Sequence, residues 1–425
     1  MPVPIPDHLP EKLTITLWDF SWYTRTGHGE PFHDLDRAFA EAVDRGYNTV
    51  RICAMPFLLF GSGLDTSALR LTRLGGEYAQ RTRWYDVGAD AVLDGRAHLI
   101  QLFEAAARHD CFVILSSWEY QQSPAFLADS SWYDALAAVP PAERPTALAD
   151  ALAEMIRFLA EHGLDHRVAF TEIHNEVQAG HLTDDVPDGV DTVVALRPRL
   201  EAAIDHFHRQ VPNRPVAANY SRVPVGSMRG LPRNADVAVF HPYVYGVLEE
   251  LYETFAVRRP DREFPEARAR SELLRDDAPS PEAWELPADA RWRLKATVVP
   301  QREVYVHDWC DAQKFDRWLY SRYAGYASQM RAVMEAWMLS ASDWAAEHEV
   351  PLVFGEGWVG YTPLLSEFEG GPIGAQVCRD AVQRAGQLGA WGAVVCSNAA
   401  PHHPMWDDLD LQVQINTDFK KGSSR

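Results

Sequence analysis

Short β-branched segments alternate with longer amphipathic segments along most of this chain, and no other feature narrows its possible folds as much. The eight predicted strands are residues 13–18, 49–53, 111–115, 167–173, 215–218, 236–240, 351–354 and 392–396. Strands that alternate with helices form a parallel sheet, and eight such units close a (β/α)8 TIM barrel. A doubly wound open sheet is the alternative, but no glycine-rich phosphate loop follows the first segment.

Apolar residues at helical spacing predict the helices between these strands. One helix follows Asp34, and Thr146 is predicted to cap another. Segments near residues 323–348 and 375–388 have the same spacing. No final helix is indicated, so residues 420–425 are predicted to be a flexible tail.

The domain organisation predicted from this order is a single barrel over residues 1–425. Barrels of this kind exceed about 400 residues when they carry insertions. Residues 242–320 follow the sixth strand and are rich in Arg, Asp, Glu and Pro. We predict that they form a long insertion that covers the barrel like a lid.

Charge, apolar segments and cysteines together limit the partners and the location of the protein. Acidic residues outnumber basic ones by 60 to 40, which gives a net charge of −20 that repels phosphate backbones. We therefore expect no nucleic-acid partner. The sequence has no membrane-span candidate and no basic, apolar leader at its start, and its five cysteines form no CxxC pair. These features predict a cytoplasmic protein with no membrane partner.

Two glutamates end predicted strands on opposite sides of the barrel. Glu176 follows the fourth strand and Glu356 follows the seventh, and the carboxyl ends of all barrel strands meet at one face. Glycoside hydrolysis needs two carboxylates over one bond, one to protonate the departing oxygen and one to attack the anomeric carbon or activate water. A separation of about 5–5.5 Å favours the retaining route and a wider one favours inversion. Alternatively, each glutamate pairs with an arginine of the barrel.

Four short motifs at the second, fourth, sixth and seventh strands resemble those of one family. They are Gly-Tyr-Asn-Thr-Val-Arg at residues 46–51, Asn175-Glu176, His241-Pro242-Tyr243, and Glu356. On these motifs the chain resembles the cellulase-like enzymes of glycoside hydrolase clan A, and in particular those of family five. The correspondence extends from the first strand to the eighth.

The resemblance implies a retaining glycoside hydrolase that cleaves an O-glycosidic bond. Glu176 would be the acid/base and Glu356 the nucleophile. Arg51 would keep Glu356 ionised, because an adjacent cation favours the charged carboxylate, and Tyr243 would donate its hydroxyl to the same group. The alternatives are a structural ion pair for Arg51 and a position on the rim for Tyr243.

Two more residues receive roles from the resemblance. Asn175 would hold the hydroxyl beside the anomeric carbon, and His241 would hydrogen-bond the substrate or a neighbour. The alternatives are a helix-capping asparagine and a core histidine. Family five cellulases usually have a histidine after the third strand, where this chain has serines at 116 and 117. The chemistry therefore carries over better than the substrate specificity.

Four further side chains at strand ends are predicted to bind substrate. Asp19 and Glu119 are carboxylates that could bind sugar hydroxyls, although each could instead pair with an arginine. Trp118 and Trp358 could stack on a sugar ring, and Trp358 is favoured because it lies two residues beyond Glu356. Core packing is the alternative for both tryptophans.

The expected partner is a small carbohydrate, bound in a pocket beneath the insertion by an exo-acting enzyme. No cofactor and no metal are expected, because the neighbouring His402 and His403 with Asp407 are poorly arranged for one ion. A non-catalytic carbohydrate-binding protein of the same fold is the alternative function. A metal-dependent sugar isomerase or aldolase is a third, disfavoured because no lysine ends a predicted strand. The sugar, its anomer and the oligomeric state stay open.

Overall fold

A parallel sheet forms the centre of the protein. The computed structural model describes residues 2–72, 87, 90–122, 127–286, 288–360 and 362–422. In chain order its strands are β1 Leu13–Asp19, β2 Thr49–Cys53, β3 Leu69–Leu71, β4 Ala91–Leu93, β5 Phe112–Ser116, β6 Val168–Glu172, β7 Val216–Ala217, β8 Asn219–Tyr220, β9 Ala238–Phe240, β10 Leu352–Phe354 and β11 Gly392–Val394. Strands β3 and β4 form a separate antiparallel pair.

The remaining nine described strands close into a barrel. Their order is β7-β6-β5-β2-β1-β11-β10-β9-β8, and every pairing is parallel. Only Ala218 separates β7 from β8. The two ends of the sheet are therefore halves of one strand, the fifth of an eight-stranded barrel. This closure confirms the predicted (β/α)8 fold.

Helices follow the barrel strands. They are α1 Ser21–Thr24, α2 Leu35–Asp44, α3 Gly95–Arg108, α4 Ser131–Ala138, α5 Arg144–Glu161, α6 Thr192–Gln210, α7 Val247–Thr254, α8 Glu266–Glu272, α9 Gln301–Trp309, α10 Ala312–Glu347, α11 Pro372–Gln387 and α12 Leu409–Lys421. None of these described helices is both long and apolar enough to cross a lipid bilayer.

The barrel strands are buried on both faces, as parallel strands covered by helices are. All seven residues of β1 are buried. Its two threonines satisfy their hydroxyls within the protein: Thr14 Oγ1 donates to the carbonyl of Gly46 over 2.9 Å and Thr16 Oγ1 to that of Ala399 over 2.7 Å. Burial of these polar side chains therefore leaves no hydroxyl without a partner.

Two helices begin earlier than the sequence pattern predicts. Helix α5 starts at Arg144, with Pro145 in its first turn, so Thr146 lies inside the helix and is not its cap. Helix α10 starts at Ala312 instead of near residue 323, because the side chain of Asp311 accepts a hydrogen bond from the Lys314 amide and caps it. The first turns of this helix thus belong to the predicted insertion.

Helix α12 is absent from the sequence prediction. Its buried face includes Gln412 and Asn416 beside apolar Ile415 and Phe419, so the apolar spacing is interrupted. The amide of Gln412 donates to the carbonyl of Met405 over 3.0 Å, as buried polar groups require. The predicted tail at residues 420–425 therefore begins inside a helix, and residues 423–425 lie outside the described part of the chain.

Candidate active site

Two glutamates converge at the carboxyl-terminal end of the barrel. Glu176 lies four residues beyond the end of β6, and Glu356 lies two beyond the end of β10. One carboxylate oxygen of each, together with one ring nitrogen of His241, lie within 4.8 Å of one another. The structure therefore brings together the two carboxylates that the sequence placed on facing strands.

Glu356 is held by two donors on its two oxygens. Arg51 Nη1 donates to Oε1 over 2.7 Å, and the hydroxyl of Tyr243 donates to Oε2 over 2.7 Å. Ser397 Oγ lies 2.6 Å from that hydroxyl and accepts from the Gly357 amide over 2.9 Å. Both oxygens are thus fixed in direction, and the negative charge faces a guanidinium.

Arg51 is the centre of a buried network. Its guanidinium also donates to Glu172, with Nη2 at 2.6 Å from Oε2, and to Oδ1 of Asn175 over 2.8 Å. Burial alone would lower the pKa of Arg51, but Glu172 and Glu356 outweigh it and raise that pKa. The ring of Trp118 lies 4.5 Å from the guanidinium carbon, which adds a cation–π contact.

Glu176 occupies a different environment from Glu356. Its backbone is left-handed, with φ of 46°, a conformation that costs a non-glycine residue roughly 1 kcal/mol or more. The Glu176 amide donates to the side chain of Asn219, which helps to hold this conformation. Gln121 Nε2 donates to Oε2 over 3.0 Å. Burial raises the pKa of Glu176 to about 7, against the hydrogen bond from Gln121 and the charge of Arg51.

His241 lies between the two glutamates as a neutral ring. Burial lowers the pKa of His241 to about 4. Its Nδ1 is 3.1 Å from Oε1 of Glu176 and 3.5 Å from Oε1 of Glu356, whereas Nε2 is buried and has no hydrogen-bond partner among the described residues. A carboxylate oxygen accepts hydrogen bonds, so the ring nitrogen that faces the two glutamates is the donor. The proton is therefore assigned to Nδ1, from which it reaches both carboxylates.

A cavity of about 340 Å³, here called the site cavity, opens beside these residues. Its walls include the predicted site residues Trp118, Asn175, Glu176, Tyr243 and Glu356, joined by Gln121, Arg222, Tyr245, Arg258, Val298, Val299, Pro300 and Glu303. The segment 298–303 belongs to the predicted insertion, so insertion residues border the two glutamates. This volume is at the lower end of the usual range for small-molecule pockets.

Three predicted substrate-binding residues are directed elsewhere. The carboxylate of Asp19 accepts from the Ser21 amide over 3.0 Å, and that of Glu119 accepts from the Leu58 amide over 3.0 Å. Trp358 has no exposed surface, and its indole N–H donates to the carbonyl of Val395 over 3.0 Å. These side chains support the loops around the barrel mouth, and their polar groups are engaged within the protein.

Four polar residues of the network received no role from the sequence: Gln121, Glu172, Asn219 and Ser397. Asn219 lies in the second half of the fifth barrel strand and Ser397 lies three residues beyond the eighth, so their position near strand ends was a usable signal. Glu172 closes β6 and is fully buried, which in a parallel strand indicates a charged partner. Gln121 lies in a loop and carries no comparable signal in the sequence.

The triad of Glu176, His241 and Glu356 is close enough to be considered as a cation site. The guanidinium of Arg51 already occupies Oε1 of Glu356 over 2.7 Å and places a positive charge at the triad. A cation there would meet this charge, so we assign no metal. His402, considered above with His403, is 3.0 Å from the hydroxyl of Ser21 through its Nε2.

The closed barrel and its paired strand-end glutamates define a protein with the architecture of a glycoside hydrolase. The chain belongs to the cellulase-like family described as sugar-binding cellulase-like, whose model matches residues 15–234. This match confirms the cellulase-like relationship inferred from the four motifs. No protein of curated function matches the chain in sequence.

Solved structures resemble the protein at low sequence identity. A candidate glycoside hydrolase from Parabacteroides distasonis is 17% identical, with a TM-score of 0.68 over 97% of this chain and 94% of that one. An endo-1,4-beta-mannanase from Rhizomucor miehei is 11% identical, with a TM-score of 0.48 over 98% and 96% of the two chains. The first of these likenesses supports the barrel architecture.

Proposed function

We propose that the protein is a retaining glycoside hydrolase with Glu356 as nucleophile and Glu176 as acid/base. The observation that carries this proposal is the approach of the two carboxylates to within 4.8 Å between their nearest oxygens. Retaining enzymes need about 5–5.5 Å between the two groups, whereas inverting enzymes need room for a water molecule and a wider gap. The narrow spacing therefore favours direct attack by a carboxylate.

The unequal surroundings of the two glutamates support separate roles. With a pKa of about 7, Glu176 retains its proton on a large fraction of molecules near neutral pH, as a general acid must. Glu356 faces Arg51 and receives the hydroxyl of Tyr243, which compensates a negative charge and directs its oxygens. One carboxyl can thus donate a proton while the other attacks.

In the proposed first step an oxygen of Glu356 forms a bond to the anomeric carbon while the bond to the leaving oxygen breaks. The proton of Glu176 passes to that leaving oxygen. In the second step water attacks the anomeric carbon, Glu176 takes its proton, and Glu356 leaves as a carboxylate. The two inversions give a product with the configuration of the substrate.

The proposed substrate is a small glycoside or oligosaccharide. Asn175 and Trp118 border the site cavity beside the two glutamates, and we assign them contacts to a sugar hydroxyl and a sugar face. The insertion residues Val298 and Pro300 cover one side of this cavity. A covered cavity of about 340 Å³ suits one sugar unit with its leaving group, which favours exo action.

The experiment that tests this function is a panel of nitrophenyl glycosides, followed by NMR of the first-formed anomer. Turnover with retained configuration supports the proposal, and an inverted first product contradicts the assigned mechanism. Binding of a sugar without turnover of any glycoside would favour the non-catalytic carbohydrate-binding protein. This second candidate is supported by the family, which is described as sugar-binding.

A reducing compartment is part of the proposal. All five cysteines are buried, and their odd number and lack of a CxxC pair are typical of proteins that are not exported to oxidising surroundings. We therefore propose a cytoplasmic location, which fractionation of the source cells with an antibody to this chain tests directly.

A further inference from the structure

We propose that Gln121 is a positioning residue that holds the acid/base Glu176 and ties it to the insertion through Val298. This inference rests on the proposed function, since it concerns the residue that would donate the proton. Gln121 is buried, with 3% of its surface exposed. It lies in the loop after β5, where the resemblance to family five gives no guidance.

The orientation of the Gln121 side chain follows from Arg51. A guanidinium can only donate, so the oxygen of the Asn175 amide faces Arg51 at 2.8 Å and its nitrogen faces Gln121. Asn175 Nδ2 donates to Oε1 of Gln121 over 2.7 Å. The side-chain nitrogen of Gln121 must then face Glu176, and this Nε2 donates to Oε2 of Glu176 over 3.0 Å. A single chain of hydrogen bonds thus joins the two glutamates.

The loop that carries Gln121 is fixed to the loop after β6. The backbone N–H of Asn175 donates to the carbonyl of Ser117 over 2.7 Å, and the backbone N–H of Tyr120 donates to Nε2 of His174 over 3.0 Å. Burial lowers the pKa of His174 to about 3, so its ring is neutral and can accept. A Cβ on Gly180 would lie 2.7 Å from the Tyr120 carbonyl oxygen, so only glycine permits this approach.

The backbone of Gln121 holds the insertion. Its carbonyl accepts from the amide of Val298 over 2.8 Å, and Val298 borders the site cavity. Helix α9 begins three residues later, and its Glu303 receives two hydrogen bonds from Arg258, at 2.7 and 2.6 Å. Gln121 therefore contacts the insertion through its backbone carbonyl and contacts Glu176, the proposed proton donor, through its side chain.

Loss of the Gln121 donor has a predictable electrostatic sign. Its hydrogen bond favours the ionised carboxylate of Glu176, so its removal makes the proton harder to lose. The other charged or titratable groups that face Glu176 are Arg51, Arg222, His241, Tyr245, Arg258 and Glu356. All of them are retained when only residue 121 is changed.

The first measurement is a titration of Glu176 by NMR, with carbon-13 in the glutamate carboxyls of the full chain. The signal is assigned by its absence from Glu176→Gln. In Gln121→Met, which keeps the length but not the donor, the midpoint is expected at higher pH than in the parent. Gln121→Glu brings a like charge and is expected to shift the midpoint in the same direction. Gln101→Met, at an exposed position of α3 that does not border the site cavity, is the matched control and should leave the midpoint in place.

The second measurement compares leaving groups. In Gln121→Met, kcat/KM should fall roughly tenfold or more for alkyl glycosides, which need a proton on the departing oxygen. Dinitrophenyl glycosides, which depart without one, should change far less. Val298→Pro removes the amide that holds the Gln121 carbonyl, so a smaller loss with the same dependence on the leaving group is expected.

Each outcome decides a separate point. A titration that does not move in Gln121→Met or Gln121→Glu overturns the positioning role. Val298→Pro with parent kinetics overturns the link to the insertion. A shifted titration in a protein that turns over no glycoside contradicts the proposed function, while the hydrogen-bond role of Gln121 stands.

Discussion

Arg51 and Glu356 meet over 2.7 Å at the mouth of the barrel, where their side chains are 0% and 4% exposed. Removal of one member of a buried ion pair leaves an uncompensated charge and costs about 3–5 kcal/mol. Arg51→Met leaves both Glu172 and Glu356 without their cation, so we expect a loss of this size in the free energy of unfolding, measured with urea. Arg37→Met removes an exposed pair with Glu41 and should change stability far less, because water screens an exposed ion pair. Equal losses in the two variants would contradict the buried network.

Glu356→Gly should remove turnover of an activated aryl glycoside, with kcat reduced by roughly 10⁴-fold or more, because the attacking oxygen is lost. Azide can enter the vacated space and attack in its place, which gives a glycosyl azide of inverted configuration detectable by NMR. Glu367→Gly changes an exposed glutamate and serves as the matched control. Full activity of Glu356→Gly without azide would remove Glu356 from its role.

Glu176→Ala should slow substrates in proportion to their need for a proton. For an alkyl leaving group we expect a loss of roughly 10²–10⁴ in kcat/KM, the usual contribution of general acid catalysis. A dinitrophenyl leaving group should lose much less in the first step. Rates with both leaving groups give the comparison, and a uniform loss would speak against a proton donor at this position.

The pH dependence of turnover should reflect Glu176. The pKa of this buried carboxyl is about 7, and the donor must be protonated, so kcat/KM should decline as the pH rises through about 7. Steady-state rates between pH 4 and 9 on an alkyl glycoside measure this limb. The limb should be absent in Glu176→Ala, and its persistence there would assign it to another group.

Glu119 gives a prediction about stability. Burial raises the pKa of Glu119 from 4.5 to about 7, so the folded protein binds this proton more tightly than the unfolded chain does. The contribution of this group to the free energy of unfolding is therefore fully present below pH 4.5. This contribution, of about 3 kcal/mol, is lost as the pH rises towards 7.

Glu119→Gln is neutral at every pH and should lack this loss. Relative to the parent, its free energy of unfolding in urea should improve by about 3 kcal/mol between pH 4.5 and pH 8. A constant difference between the two proteins would show that the buried carboxyl titrates normally.

The strand ends were the part of the site that sequence could predict. Glu176 and Glu356 are far apart in the chain, but each lies within four residues of the end of a short buried strand, and the geometry of a barrel brings such positions together. The resemblance to family five added Arg51 and Tyr243, which both contact Glu356.

Contacts that depend on loop packing could not be predicted in this way. Gln121 meets Glu176 because its loop is held by residues after β6 and by Val298 of the insertion, and no local pattern encodes that encounter. Trp358 shows the opposite error: it is close to Glu356 in sequence, yet its indole is buried against Val395. Gln121 reaches the site and Trp358 does not, because the backbone of each loop points its side chain in a direction that the sequence does not reveal.

The sharing of Arg51 between two carboxylates makes the fold less dependent on the residue at position 356. Glu172 alone contributes one negative charge through hydrogen bonds to both Nε and Nη2 of the guanidinium, so a neutral pair remains even when Glu356 is replaced by an uncharged residue. An uncharged residue at position 356 should therefore leave the barrel folded around the same cavity, even though the proposed nucleophile is lost.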